Sequence, residues 1–248
     1  MRFLIRSGSA FSLRMNRIAI NYRITKMEED CTYILSACSL LLWQNNAMSD
    51  VIRIPSREEA ERLLEEGLAA NPGKWGDHCR NAARSAEAIG EAAGLDKDRC
   101  YVSGLLHDIG RQFGNFQLGH VYYGWKYMQE LGYPAVARIC LTHSFAIQEK
   151  RGYGGAFDLS EEQIEEMFGE LASIDYDDYD RLIQLCDNIS GASGIMRMED
   201  RLADIISRYP NYPDDKRVLT MRLIDYFNAK TGSDIYELSC GGNTVDHY

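Results

Sequence analysis

From Ser56 onward the apolar residues of this chain recur at three- and four-residue spacing, and strand-type alternation is nearly absent. A 3.6-residue period gives each segment one apolar face, and such faces are buried against one another, so the pattern predicts an all-α bundle. Ser56-Arg-Glu-Glu59 and Ser160-Glu-Glu-Gln163 read as capping boxes, the second with Leu159 and Ile164 placed for a hydrophobic staple. Helices are expected over 57–70, 75–93, 97–107, 120–131, 134–143, 161–171, 178–190, 196–208 and 214–230. The stretch 144–159, with Gly152-Tyr153-Gly154-Gly155 inside it, is the one long loop and is expected to form a lid or a substrate-contacting segment. SIDYDDYDR at 173–181 reads as the solvated start of a helix with Asp in its first turn.

At 248 residues and 45% hydrophobic content the chain can fill a real core. Residues 1–47 stand apart. They begin Arg-rich, turn acidic at Glu28, Glu29 and Asp30, and end in an apolar run over 31–43 that is too short to span a bilayer and wrongly flanked for a signal peptide. We expect 1–47 to be a poorly ordered N-terminal extension and 48–248 a single domain with C-terminal helices. The formal net charge is −10, with six Lys/Arg and three Asp/Glu in residues 1–47 leaving 21 cations against 34 acids in the remainder. That balance argues against stable nucleic-acid binding and against an anionic membrane surface. Seven cysteines without a Cys-x-x-Cys pair suit a reduced, cytoplasmic protein, with Cys79, Cys140 and Cys186 serving as small buried hydrophobes. The oligomeric state is not legible.

Four of the five histidines (His78, His107, His120 and His143) fall within about a quarter of the chain. Singly, His78 fits a polar helix surface and His120 a helix start; beside the adjacent pair His107-Asp108 they fit a shared site better. Imidazole and carboxylate together suit iron, manganese, zinc, cobalt or nickel, one ion or two, whereas an all-oxygen calcium or magnesium cage would not use so many histidines. A further carboxylate is expected, and Asp187 is the best candidate because it lies at the edge of the stripe Leu182, Leu185, Cys186 and Ile189. Lys150 and Arg151, shortly after His143, are candidates for a phosphate clamp. No Walker A loop, Gly-x-Ser-x-Gly elbow or dinucleotide fingerprint is present, which disfavours kinases, serine hydrolases and Rossmann enzymes.

The order His78, His107-Asp108, Asp187, with His120 and His143 between, resembles the HD superfamily of metal-dependent phosphohydrolases over roughly 75–195. The resemblance implies an HD-domain helical bundle with a metal site between helices. It implies His78, His107, Asp108 and Asp187 on one metal, with Asp108 bridging to a second held by His120 and His143. Arg111 stands where HDxGK-type members carry Lys, so Asp108 and Arg111 are the implied catalytic residues and Arg111 also a substrate-binding cation. Its planar fork suits phosphate but makes a poorer proton donor. His143 is followed by Ser144 where some two-metal members have a second His. The implied activity is hydrolysis of a nucleotide or other small phosphate ester by a metal-activated water. The same six residues are also similar to the HD-fold di-iron oxygenases, and a non-catalytic nucleotide sensor is a third reading. Gly132-Tyr133-Pro134 spells a motif of cyclic-dinucleotide phosphodiesterases but precedes His143 instead of following it, so it is read only as Pro in the first turn of a helix.

Overall fold

Ser56 accepts a hydrogen bond from the Glu59 amide and starts α1 (Arg57–Ala70). The reciprocal half of that capping box is not made, because Glu59 instead pairs with Arg62. The structure, a computed structural model, describes residues 52–209 and 212–240. The expected N-terminal extension, residues 1–47, lies outside them.

The chain continues through α2 (Trp75–Ala92), α3 (Lys97–Leu106), a 3-10 turn (Ile109–Phe113), α4 (Gly119–Glu130) and α5 (Pro134–Thr142). After a loop come α6 (Glu161–Ala172), α7 (Asp178–Ile189), α8 (Met198–Arg208), α9 (Asp214–Thr231) and the short α10 (Ile235–Ser239). The fold is an all-α bundle. Its only sheet among the described residues is a two-residue antiparallel hairpin, β1 (Ser190–Gly191) with β2 (Gly194–Ile195). Pro134 occupies the first turn of α5, where its missing N–H is not needed. Ser160 and Gln163 complete a capping box on α6, and Leu159 and Ile164 both pack against the core.

The core divides around the pair α2 and α3. On one side Leu63, Leu64, Leu105, Val121 and Leu141 pack together, and on the other Ile89, Cys100, Leu182, Ile189 and Phe227 do so. Ala82 and Ala83 of α2 face Gly104 of α3 so closely that a Cβ on Gly104 would stand 2.8 to 2.9 Å from their backbone atoms. This small-residue seam lets the two helices approach, which places the start of α2 beside the end of α3. Cys79, Cys100, Cys140 and Cys186 are buried free thiols, as small core hydrophobes are.

One acidic stretch differs from its sequence reading. Asp177 caps α7, but Asp180 in its first turn is fully buried and not solvated. It receives Arg138 Nη2 at 2.5 Å and Thr142 Oγ1 at 2.8 Å, both from α5. A buried carboxylate with charged and neutral donors of this kind ties α7 to α5. Among the described residues no helix is long and apolar enough to cross a membrane.

Candidate metal centre

Each of the four clustered histidines sits at a helix end, and each uses Nδ1 on a backbone carbonyl. His78, in the first turn of α2, meets the Ser190 carbonyl at 2.7 Å; His107, just past α3, meets Gly104 at 2.7 Å. His120, at the start of α4, meets Gln117, and His143, just past α5, meets Cys140 at 2.9 Å. A carbonyl can only accept, so the proton is on Nδ1 and every Nε2 presents a lone pair. Those Nε2 atoms face each other in pairs, His78 to His107 at 3.1 Å and His120 to His143 at 3.4 Å. Lone pairs opposed at that distance repel unless a cation lies among them.

Asp108 stands between the pairs. His78, His107 and Asp108 form one group able to hold a metal ion, and Asp108, His120 and His143 form a second. Asp108 Oδ1 lies 3.2 Å from His120 Nε2 and 3.6 Å from His143 Nε2, and it is buried without a hydrogen-bond donor. Asp187, from the last turn of α7, brings Oδ1 to 3.1 Å from His78 Nε2 and 3.5 Å from His107 Nε2. Arg111, in the 3-10 turn, donates Nε to Asp108 Oδ2 at 2.5 Å. The donor set of nitrogen and carboxylate oxygen, with a buried oxygen lacking any partner, fits a divalent transition metal.

The electrostatics agree with that fit. Burial alone would raise the Asp108 carboxyl, but the Arg111 guanidinium and the surrounding imidazoles outweigh it and hold the group well below the usual carboxylate range. Burial likewise opposes ionisation of Asp187, and the adjacent His107 and His78 imidazoles outweigh it and hold the carboxyl well below the usual range. Burial and then Arg111 push His120 down to about 3, so its imidazole is neutral and its lone pair available.

Local sequence explains the convergence. Gly110 packs so tightly on α4 that a Cβ there would stand 1.9 Å from the His120 carbonyl oxygen, so glycine is what brings the Asp108 turn to His120. The β1–β2 hairpin supplies the carbonyl that orients His78, and Asn81 holds it through the Gly191 carbonyl at 2.6 Å. Gln184 of α7 donates to the carbonyls of Thr142 and Phe145, fixing the chain on either side of His143. The loop 144–159 is tied down: Asp158 accepts from the Gln117 and Gly119 amides at the start of α4, and Phe157 stacks on Phe168.

A cavity of about 190 Å³ opens on the centre, lined by Asp108, His120, His143 and Asp187 on one side and by Tyr153 of the loop on another. A more open groove reaches Asp108 and Asp187 past His78. The structure thus brings His78, His107, Asp108, Arg111, His120, His143 and Asp187 together. It does not bring Lys150 or Arg151. Both are exposed on a 3-10 turn outside the cavity lining, and Arg151 is already paired with Glu149 at 2.9 Å and Asp215 at 2.6 Å. The cations that do line the cavity besides Arg111 are Arg201, Arg208 and Lys216. A sign of Lys216 was available in the sequence: it begins the buried stripe Lys216, Thr220, Leu223, Phe227 at helical spacing, where a surface lysine would not stand.

Fold and site together define a helical bundle whose buried His/Asp cluster could hold metal ions. The HD domain family model matches residues 75–192, the stretch that contains all seven converging residues, so this part of the chain is similar to HD domains. Neither the curated proteins nor the solved structures gave a match.

Proposed function

We propose that the protein is a metal-dependent phosphohydrolase acting on a nucleotide or another small phosphate ester. The observation that carries this reading is Asp108, which belongs to both groups of inward-turned imidazoles and whose Oδ1 is buried without a donor. His78, His107, Asp108 and Asp187 would hold one ion, and Asp108, His120 and His143 a second. Ions bound there supply an activated water nucleophile and a Lewis acid for the phosphoryl oxygens.

The chain's own groups provide the remainder. Arg111 keeps Asp108 ionised and in place, and its other guanidinium N–H groups make no hydrogen bond among the described residues, which leaves them for a phosphoryl oxygen. The backbone carbonyls behind each imidazole fix the tautomer, so no histidine loses ligand character to a wrong proton. Tyr153 and the anchored loop wall the cavity on the side of His143 and limit access to it.

The test is phosphate release from a panel of nucleotides and phosphate esters by protein reconstituted anaerobically with manganese or iron. Release that depends on metal, with about two ions per chain, is the expected result. Two imidazoles in each half, with a shared carboxylate, also suit a di-iron oxygenase. Substrate-dependent oxygen uptake without phosphate release from any ester would overturn the hydrolase reading in its favour.

A further inference from the structure

The cavity beside the metal centre is cationic in an acidic protein. Arg111, Arg201, Arg208 and Lys216 line it against the carboxylates Asp108 and Asp187 alone, while the whole chain carries −10. Two of the four cations lack what such groups normally have. Lys216 is only 9% exposed, and among the described residues no carboxylate lies within ion-pair distance of it. Its ammonium touches neutral groups, the Gly152 carbonyl at 2.6 Å, the Ser144 carbonyl at 3.1 Å and the Tyr212 ring with its centroid at 5.1 Å, and feels the Asp187 carboxylate only across the cavity. Two carbonyls occupy two of three N–H donors. Arg201 has a buried Nε with no hydrogen-bond partner, and its nearest carboxylate, Asp204, is 3.8 Å away. A buried charge without a counter-ion is costly, and stapling two carbonyls needs no full charge.

Both residues come from the segment that follows the matched HD stretch, Arg201 from α8 and Lys216 from α9. We infer that Lys216 and Arg201 bind a second anionic group of the substrate, a phosphate or a carboxylate separate from the phosphoryl group held at the metal centre. This rests on the hydrolase reading for the word substrate, but the anion site itself does not. The cavity volume of 190 Å³ is below the roughly 300 Å³ at which drug-sized pockets begin, so the ligand portion it takes is small. Lys216 is a specificity-determining residue in this scheme, and Arg111 remains with the reacting phosphoryl group.

The test is calorimetric binding to the full, metal-loaded chain with three probes that need no turnover: methylphosphonate, propane-1,3-bisphosphonate and 4-phosphonobutyrate. We expect at least one two-anion probe to bind tenfold or more tightly than methylphosphonate. A gain confined to the bisphosphonate identifies the second group as phosphate, and an equal gain with phosphonobutyrate identifies it as carboxylate. Lys216→Met should remove the gain while leaving methylphosphonate affinity and metal content unchanged, Lys216→Arg should restore most of it, and Arg201→Gln should reduce it. Equal affinity of all three probes for the wild type would overturn the inference. So would a Lys216→Met variant that weakens every probe alike, since that is what loss of a loop staple alone would do. A two-anion gain without hydrolysis of any ester would keep the anion site and reject the hydrolase reading.

Discussion

Asp108 is the residue on which both halves of the centre depend, because its two oxygens serve different neighbours. Oδ2 takes Arg111 Nε and Oδ1 faces His120 and His143. Asp108→Ala should therefore lose both ions, whereas His120→Ala and His143→Ala should each take the metal count from about two to about one, since His78, His107, Asp108 and Asp187 still form a complete donor set. His107→Ala should empty the first half and abolish activity. The loss in these variants should exceed the tenfold to hundredfold typical of residues that only support a ligand, of which Asn81 behind the Ser190 hairpin is the matching control. Metal analysis beside circular dichroism checks this, because helical content should stay near wild type in all of them. Wild-type metal content in the Asp108 variant would reject the shared-ligand geometry.

At the level of elements, three glycines make a graded test of how the helices bring the ligands together. A Cβ on Gly110 would meet the His120 carbonyl oxygen at 1.9 Å, and neither partner is a side chain that can swing away. Gly110→Ala should push the 3-10 turn off α4, lower stability by more than the roughly 1–3 kcal/mol usual for overpacking, and weaken metal retention at the Asp108, His120, His143 half. Gly104→Ala, with contacts of 2.8 to 2.9 Å to α2, should cost less and act on the His78–His107 pair. Gly169→Ala on the exposed side of α6 has nothing within 4 Å and should stabilise by about 0.5–1 kcal/mol. Urea midpoints and metal counts for the three should follow that order; equal losses at Gly104 and Gly169 would contradict the seam. These glycines also show where sequence reading stopped. The nine periodic helices were legible to within two residues because apolar period and caps act locally. The hairpin at Ser190–Ile195 and the five-residue α10 were not, being too short to repeat either pattern. The converging histidines were legible from crowding, but why they converge lies in Gly104 and Gly110, whose role depends on a partner helix. The cations show the same limit: Lys150 and Arg151 follow His143 closely in sequence, while Lys216, which lines the cavity, arrives from 73 residues further on.

For the molecule as a whole, burial of ionisable groups in the core sets a pH range for folding. Burial pushes the Cys79, Cys140 and Cys186 thiols well up from 9.0, with the Asp108 charge adding to the rise at Cys79 and Cys140, and takes Cys100 to about 12. Above pH 9 an unfolded thiol gives up its proton while the folded one keeps it, so the folded state binds more protons and stability falls as pH rises. Each thiol contributes about 1.4 kcal/mol per pH unit, and four contribute roughly 5.6. Lys216 acts in the opposite sense. Burial lowers it to about 8 from 10.5, so between those values the unfolded chain holds a proton that the folded chain has released, and stability gains about 1.4 kcal/mol per unit. The thiols win. Against a total stability of about 5–15 kcal/mol, their net slope of roughly 4 kcal/mol per unit should unfold the protein within one to three pH units above 9. Urea unfolding under reductant in metal-free buffer at pH 8, 9, 10 and 10.5 measures that slope directly. Replacing Cys100 and Cys186 by Ala, both in the second half of the core, should cut the thiol contribution by half, and Lys216→Met should steepen the fall between pH 8 and 10.5. Unfolding free energy constant to within about 1 kcal/mol from pH 9 to 10.5 would show that the buried thiols do not govern the alkaline limit.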